Sequence, residues 1–275
     1  MRDVLVNLSV SPQLEKDPAR TYAISLAKRF DALLTAVAFA RQILIPAPMF
    51  PPAIELIETA NRESEKIATD AIEYFQRAAL SEGIRSEARQ SSAMTADAAS
   101  TFGRIARCYD LSVVSQPIPD AIDPDELFFE AALFDSGRPV ILVPSAYTSP
   151  ARLNRILCCW DGSREAARSI ADSMEYLRNA ESVLLYTAQE NDPASRQTGF
   201  DMMQHLKRHG VNATSERGAA SDTDVAEAIL SCASDFSADL IVMGGYGHSR
   251  FREFILGGVT RTIVDTTTAP ILFAH

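Results

Sequence analysis

Cysteine is scarce: Cys108, Cys158, Cys159 and Cys232 are the four in 275 residues, and none has CxxC or CxxH spacing. A disulfide scaffold and a cysteine-held zinc are thereby excluded. The adjacent Cys158 and Cys159 read as alternating faces of a buried strand, not as a strained vicinal disulfide. Basic residues are outnumbered, 26 against 36 acids, for a formal charge of −10. A field of that sign repels nucleic acid and anionic membrane surfaces, so neither partner is expected and any polyanion needs a local site. No apolar run approaches the ~18 residues that span a bilayer, and Met1-Arg2-Asp3 opens on a short apolar run without a signal-peptide core. A cytoplasmic protein is the expectation. GxSxG, HExxH and GxxxxGK[ST] are also missing. The chain is therefore read as non-catalytic, with no metal-ligating set of its own.

What is present is enough apolar material for two cores, 47% of residues against 23% charged. Short β-branched or leucine-rich runs alternate with longer helix-patterned stretches, the rhythm of βαβ units around a parallel sheet. The first half reads as strands at 4–8, 33–39, 84–89, 111–115 and 140–143, with helices at 19–30, 53–81, 96–109 and 125–134. The second half repeats that order, with strands at 155–160, 182–186, 212–216, 240–243 and 271–273. Its helices are predicted at 164–177, 194–209, 222–236 and 259–265. Asp110-Leu111-Ser112-Val113-Val114 echoes Asp239-Leu240-Ile241-Val242-Met243, and Arg138-Pro139-Val140-Ile141-Leu142 echoes Ala269-Pro270-Ile271-Leu272-Phe273. The expected fold is α/β: two tandem Rossmann-like domains, 1–146 and 151–275, each a five-stranded, mainly parallel sheet flanked by helices. Ser145 to Pro150 is the boundary.

Five of the 12 glycines, Gly244, Gly245, Gly247, Gly257 and Gly258, fall within fifteen residues. The first three follow a predicted strand directly, at the carboxyl edge where open α/β sheets bind ligands. Gly257 and Gly258 precede the helix starting near Val259, whose first N–H groups are free for an anion. His248, Arg250 and Arg252 lie between the clusters against one acid, Glu253, so the local field suits phosphate. Glycines alone also fit a turn that binds nothing. Asp161, at the end of strand 155–160, is suited to a ribose hydroxyl or an adenine amino group, or to capping the following helix, which Ser163 can do as well.

Asp161-Gly162-Ser163, the spacing Gly244-x2-Gly247-x9-Gly257 and the closing strand Ala269 to Phe273 resemble the universal stress protein family, pattern G-x2-G-x9-G-[ST]. The resemblance implies ATP, with or without Mg²⁺, bound in the second domain. It places Asp161 on the adenosine, the backbone of Thr187 on adenine, and Met243, Gly244, Gly247, Gly257, Gly258, Val259 and Thr260 around the phosphates; His248 joins the candidates by its position inside the glycine segment. One departure matters: Gly258 stands where the pattern has a hydroxyl residue, with Thr260 two residues on. The first copy lacks the acid, having Asn7-Leu8-Ser9, and has Ser115-Gln116-Pro117-Ile118-Pro119-Asp120 in place of the glycine loop. It is expected to bind no nucleotide and to serve structurally, pairing as subunits of a homodimer do. Four prolines between Ile43 and Ala53 forbid helix and strand ladder alike. That apolar stretch is the candidate contact for a protein partner or a second copy, or a flap over a cavity. The rival function is an interaction module that works through it without nucleotide. His205 and His209, one helical turn apart, read as a solvated face.

Overall fold

The computed structural model describes residues 1–11, 13, 15–44, 51–118, 124–188, 193–218, 224–246 and 258–275. Chain order is β1 (Asp3–Asn7), α1 (Pro18–Phe30), β2 (Leu33–Arg41), α2 (Pro51–Ser81), β3 (Ser86–Ala93), α3 (Thr95–Ala106), β4 (Leu111–Ser115), α4 (Pro124–Asp135) and β5 (Val140–Val143). The second half supplies β6 (Arg155–Cys159), α5 (Arg164–Asp172), α6 (Met174–Asn179), β7 (Ser182–Thr187), α7 (Pro193–Arg208), β8 (Ala213–Arg217), α8 (Val225–Asp235), β9 (Leu240–Gly244), α9 (Gly258–Thr266) and β10 (Ile271–Ala274). The expected alternation is present, five strands from each half of the chain.

Two compact units form: Met1–Arg138 with Thr148–Pro150, and Pro139–Tyr147 with Ala151–His275. In the first, parallel strands run in the order β3-β2-β1-β4. The second is ordered β5-β10-β9-β6-β7-β8, parallel except that β5 runs antiparallel to β10, Ile271 opposite Leu142. Thus β5, from the first half of the chain, belongs to the second unit. Central strands are apolar on both faces because helices cover both: Val4, Leu5 and Val6 in one unit and Ile156, Leu157 and Val242 in the other have no exposed surface.

The repeat is visible in hydrogen bonds. Asp110 Oδ2 accepts from the N–H groups of Arg2 and Asp3 at 2.6 and 3.2 Å, and Asp239 Oδ2 accepts from those of Asn154 and Arg155 at 3.1 and 3.0 Å. In each copy the carboxylate preceding the fourth strand pins the start of the first. These bonds hold the Asp110 carboxyl below its ordinary pKa although burial opposes them.

Three local readings are corrected. The prolines at 51 and 52 do not forbid helix: they open α2, where a missing N–H costs nothing. β3 extends to Ala93, paired with β2 over eight residues, although its sequence Ser86-Glu87-Ala88-Arg89-Gln90 lacks an apolar face. The helix expected over 164–177 breaks at Ser173, whose backbone has φ −92° and ψ 0° and whose hydroxyl donates to Ile170 O at 3.0 Å.

Candidate functional site

The second unit has its topological switch between β6 and β9. From β6 the chain moves through α5 toward β7, and from β9 through α9 toward β10, on the other side. At such a point adjacent strands send their following segments apart and leave a crevice at their carboxyl ends. Cys158 pairs with Val242, so Gly244 is level with Trp160 and one residue short of Asp161. Cys159 pairs with Tyr186, which brings Thr187 into the same row. Asp161, Thr187, Met243 and Gly244 therefore converge on one edge.

Each is held differently. Asp161 is exposed and its Oδ1 accepts from the Ser163 N–H at 2.9 Å, a turn that needs the positive φ of Gly162, +81°. Ser163 performs the capping, its Oγ accepting from Ala166 N–H at 3.1 Å. Gly244 has a steric role: a Cβ there would lie 2.6 Å from Ala166 N and 2.6 Å from the Glu165 carbonyl carbon. Its missing side chain lets the first turn of α5 sit on the end of β9. Met243 is buried and paired with Phe273. Thr187 is buried, and its carbonyl accepts from Gly218 N–H at 2.8 Å.

Beyond the strand, Gly245 N–H donates to Ala274 O at 2.9 Å and Tyr246 turns the chain with φ 59°. Thr260, buried in the first turns of α9, accepts from the Tyr246 N–H at 3.4 Å. Gly258 opens α9, is exposed, and a Cβ there would meet nothing within 4 Å. Val259 follows it, half-buried. Gly247, His248 and Gly257 lie outside the described residues.

Residues 152–275 match the model of the universal stress protein family. Over that stretch the sequence is similar to the universal stress protein family. A universal stress protein of Archaeoglobus fulgidus DSM 4304 shares the fold with a TM-score of 0.71 at 13% identity, over 99% of this chain and 97% of that one. A functionally unknown protein of Pseudomonas aeruginosa PAO1 gives a TM-score of 0.58 at 15% identity, over 100% and 92%. A curated universal stress protein of Synechocystis sp. is 39% identical over 46 residues, which is 17% of this chain and 16% of that relative.

Several residues around this crevice escaped the sequence reading. Trp160 Nε1 donates to Thr198 Oγ1 at 3.4 Å, and a Cβ on Gly199 would stand 3.7 Å from the Trp160 ring and 3.8 Å from Thr187 Oγ1. An isolated glycine within α7 was the available signal. Glu165 is buried beneath β9 with its carboxylate on the Arg164 guanidinium. Burial pushes its pKa up, but the hydrogen bond and charge of Arg164 prevail and leave it below the ordinary value. His275 donates from Nδ1 to Gly245 O at 3.0 Å, since a carbonyl only accepts. Among the described residues no group of three His, Cys, Asp or Glu side chains can hold a metal ion, and no helix is long and apolar enough to cross a membrane. His209 Nδ1 accepts from Arg178 Nη2 at 2.8 Å, and its ring lies 4.4 Å from that of His205.

Proposed function

We propose that the second unit binds an adenine nucleotide, ATP, and that the chain acts as a non-catalytic, nucleotide-responsive stress protein. The observation that carries this is the β6/β9 switch point, which delivers Asp161 and the glycine-bordered end of β9 to one crevice. Adenosine would meet Asp161 and the remaining lone pair of the Thr187 carbonyl. Met243, Gly244, Gly247, His248, Gly257, Gly258, Val259 and Thr260 would border the phosphates, with the N-terminus of α9 supplying free N–H groups. Backbone N–H donors serve a polyanion in a protein of charge −10, where a side-chain field would not. The described residues offer no metal cage, so Mg²⁺ would arrive on the phosphates rather than reside in the protein.

The test is isothermal titration of ATP, with and without Mg²⁺, into protein stripped of nucleotide by mild unfolding and refolding. One site per chain, lost in Asp161→Ala, is expected. No binding at high protein concentration would instead select an interaction module without nucleotide. The glycine at 258, which lacks the family's phosphate-binding hydroxyl, favours that second reading. A cytoplasmic location and a homodimer remain part of the proposal, testable by fractionation and by solution mass.

A further inference from the structure

At the outer edge of the second unit, α7 does not close on β8. The pairs Leu185–Ser215 and Thr187–Arg217 put Ser215 and Arg217 on the sheet face that α7 covers, and neither is an apolar side chain that could fill the seam. A cavity of 220 Å³ is left, lined from the sheet by Thr187, Ser215 and Arg217 and from α7 by Phe200, Gln204 and Lys207. Drug-sized sites begin near ~300 Å³, so an occupant here is small.

The polarity of this seam is particular to the second unit. Val4 pairs with Leu111 as Ile156 pairs with Leu240, so Asn7 corresponds to Cys159. Their partners on the next strand are Val37 and Tyr186, which makes Ala38 the counterpart of Thr187 and Gln90 that of Arg217. In the first unit Gln90 seals the seam: its Nε2 donates to Glu65 O at 3.3 Å and its Oε1 accepts from Thr69 Oγ1 at 3.1 Å. The second unit has a cation and a hydroxyl at these two places.

Thr187 is 9% exposed, and its Oγ1 is turned to α7, 3.8 Å from where a Cβ on Gly199 would stand. Its carbonyl takes the Gly218 N–H, but its hydroxyl bonds to no described residue. A buried hydroxyl at the wall of a cavity without a protein partner needs a reason. Charge on this face has one sign, since Lys207 and Arg217 approach from separate elements. Glu216 also borders the cavity, yet it alternates with Arg217 along β8 and pairs with Tyr186 on the opposite face. There burial, and then the Glu216 charge, raise the Cys232 thiol to about 11. Phe200, 54% exposed, adds an apolar platform at the rim.

We propose that this cavity is an anion site, separate from the nucleotide crevice, that takes a small phosphomonoester. Lys207 and Arg217 hold the phosphate, the Thr187 and Ser215 hydroxyls and the Gln204 amide donate to its oxygens, and Phe200 carries the organic group. Donors arriving from sheet and helix together suit a tetrahedral dianion better than a planar carboxylate. The site does not depend on nucleotide binding, which would use the carbonyl of Thr187 and not its hydroxyl.

The test is equilibrium dialysis of phenyl phosphate against the full chain, with benzoate as the carboxylate of similar apolar shape. One site per chain is expected, at least about tenfold tighter for phenyl phosphate and weakening as sodium chloride is raised. Lys207→Gln and Arg217→Gln, both at exposed positions, should each weaken it about ten- to hundredfold, the worth of one hydrogen bond to a charged group. Absence of saturable binding, equal binding of benzoate, or full retention by these two variants would overturn the proposal. Retention together with displacement by ATP would place the phosphate in the nucleotide crevice instead. ATP should bind both variants as it binds the native chain. Phenyl phosphate binding to a chain that takes no ATP would uphold this site and end the nucleotide reading alone.

Discussion

Replacing Gly258 by serine tests the nucleotide reading by gain instead of loss. The structure permits the change: Gly258 is exposed, its φ is outside the left-handed region, and an added Cβ meets nothing within 4 Å. Serine at the opening of α9 should, if anything, support the helix, by about 0.5 kcal/mol relative to glycine. Thr260, the other hydroxyl of this turn, is buried and accepts from the Tyr246 N–H at 3.4 Å. One added hydrogen bond contributes about 0.5–1.5 kcal/mol, so the ATP dissociation constant should fall about two- to tenfold. Isothermal titration of both proteins at one ionic strength measures it, with adenosine as a control whose affinity should not move. An unchanged or weaker ATP affinity in a folded variant would refute the placement of phosphate at the α9 N-terminus.

Gly244→Ala should destabilise the second unit by about 3 kcal/mol, because the added methyl meets the backbone of α5 and not a movable side chain; an unaltered melting temperature would contradict the packing described. His205 carries the pH prediction. Burial, then the charges of His209 and Arg208, hold its pKa below 6.5, so the folded state binds that proton less readily than the unfolded chain. Its contribution is intact above pH 6.5 and lost as pH falls through the folded value. His205→Gln should flatten the urea midpoint against pH in that window, and a slope equal to that of the native chain would count against it. Iodoacetamide at pH 8 should label native protein at Cys108 alone, as read by peptide mass: Cys108 is exposed, whereas burial pushes Cys158 up to about 12, Cys232 up to about 11, and Cys159 upward. Labelling of Cys159 without denaturant would be the contrary result.

Much of this molecule was legible from local pattern. Strand–helix alternation follows from apolar runs that need cover on both faces, and the matched segments beginning at Asp110 and Asp239 announced a repeat before their shared hydrogen bonding was visible. The glycines at 244 and 245 marked a strand end where backbone must come close to something. Family resemblance, drawn from Asp161 and the glycine spacing, was carried by the half that matches the family model. Other features depend on neighbours distant in sequence. Nothing within Val140-Ile141-Leu142-Val143 specifies an antiparallel partner, because a strand buried on both faces suits many positions in a sheet. The crowding that demands glycine at 244 comes from Glu165 and Ala166, some eighty residues earlier. Asn7 reads in sequence as a polar end to an apolar strand. Only the assembled first unit leaves its side-chain oxygen buried and without a donor among the described residues, since burial and satisfaction belong to the assembled neighbourhood and not to the residue.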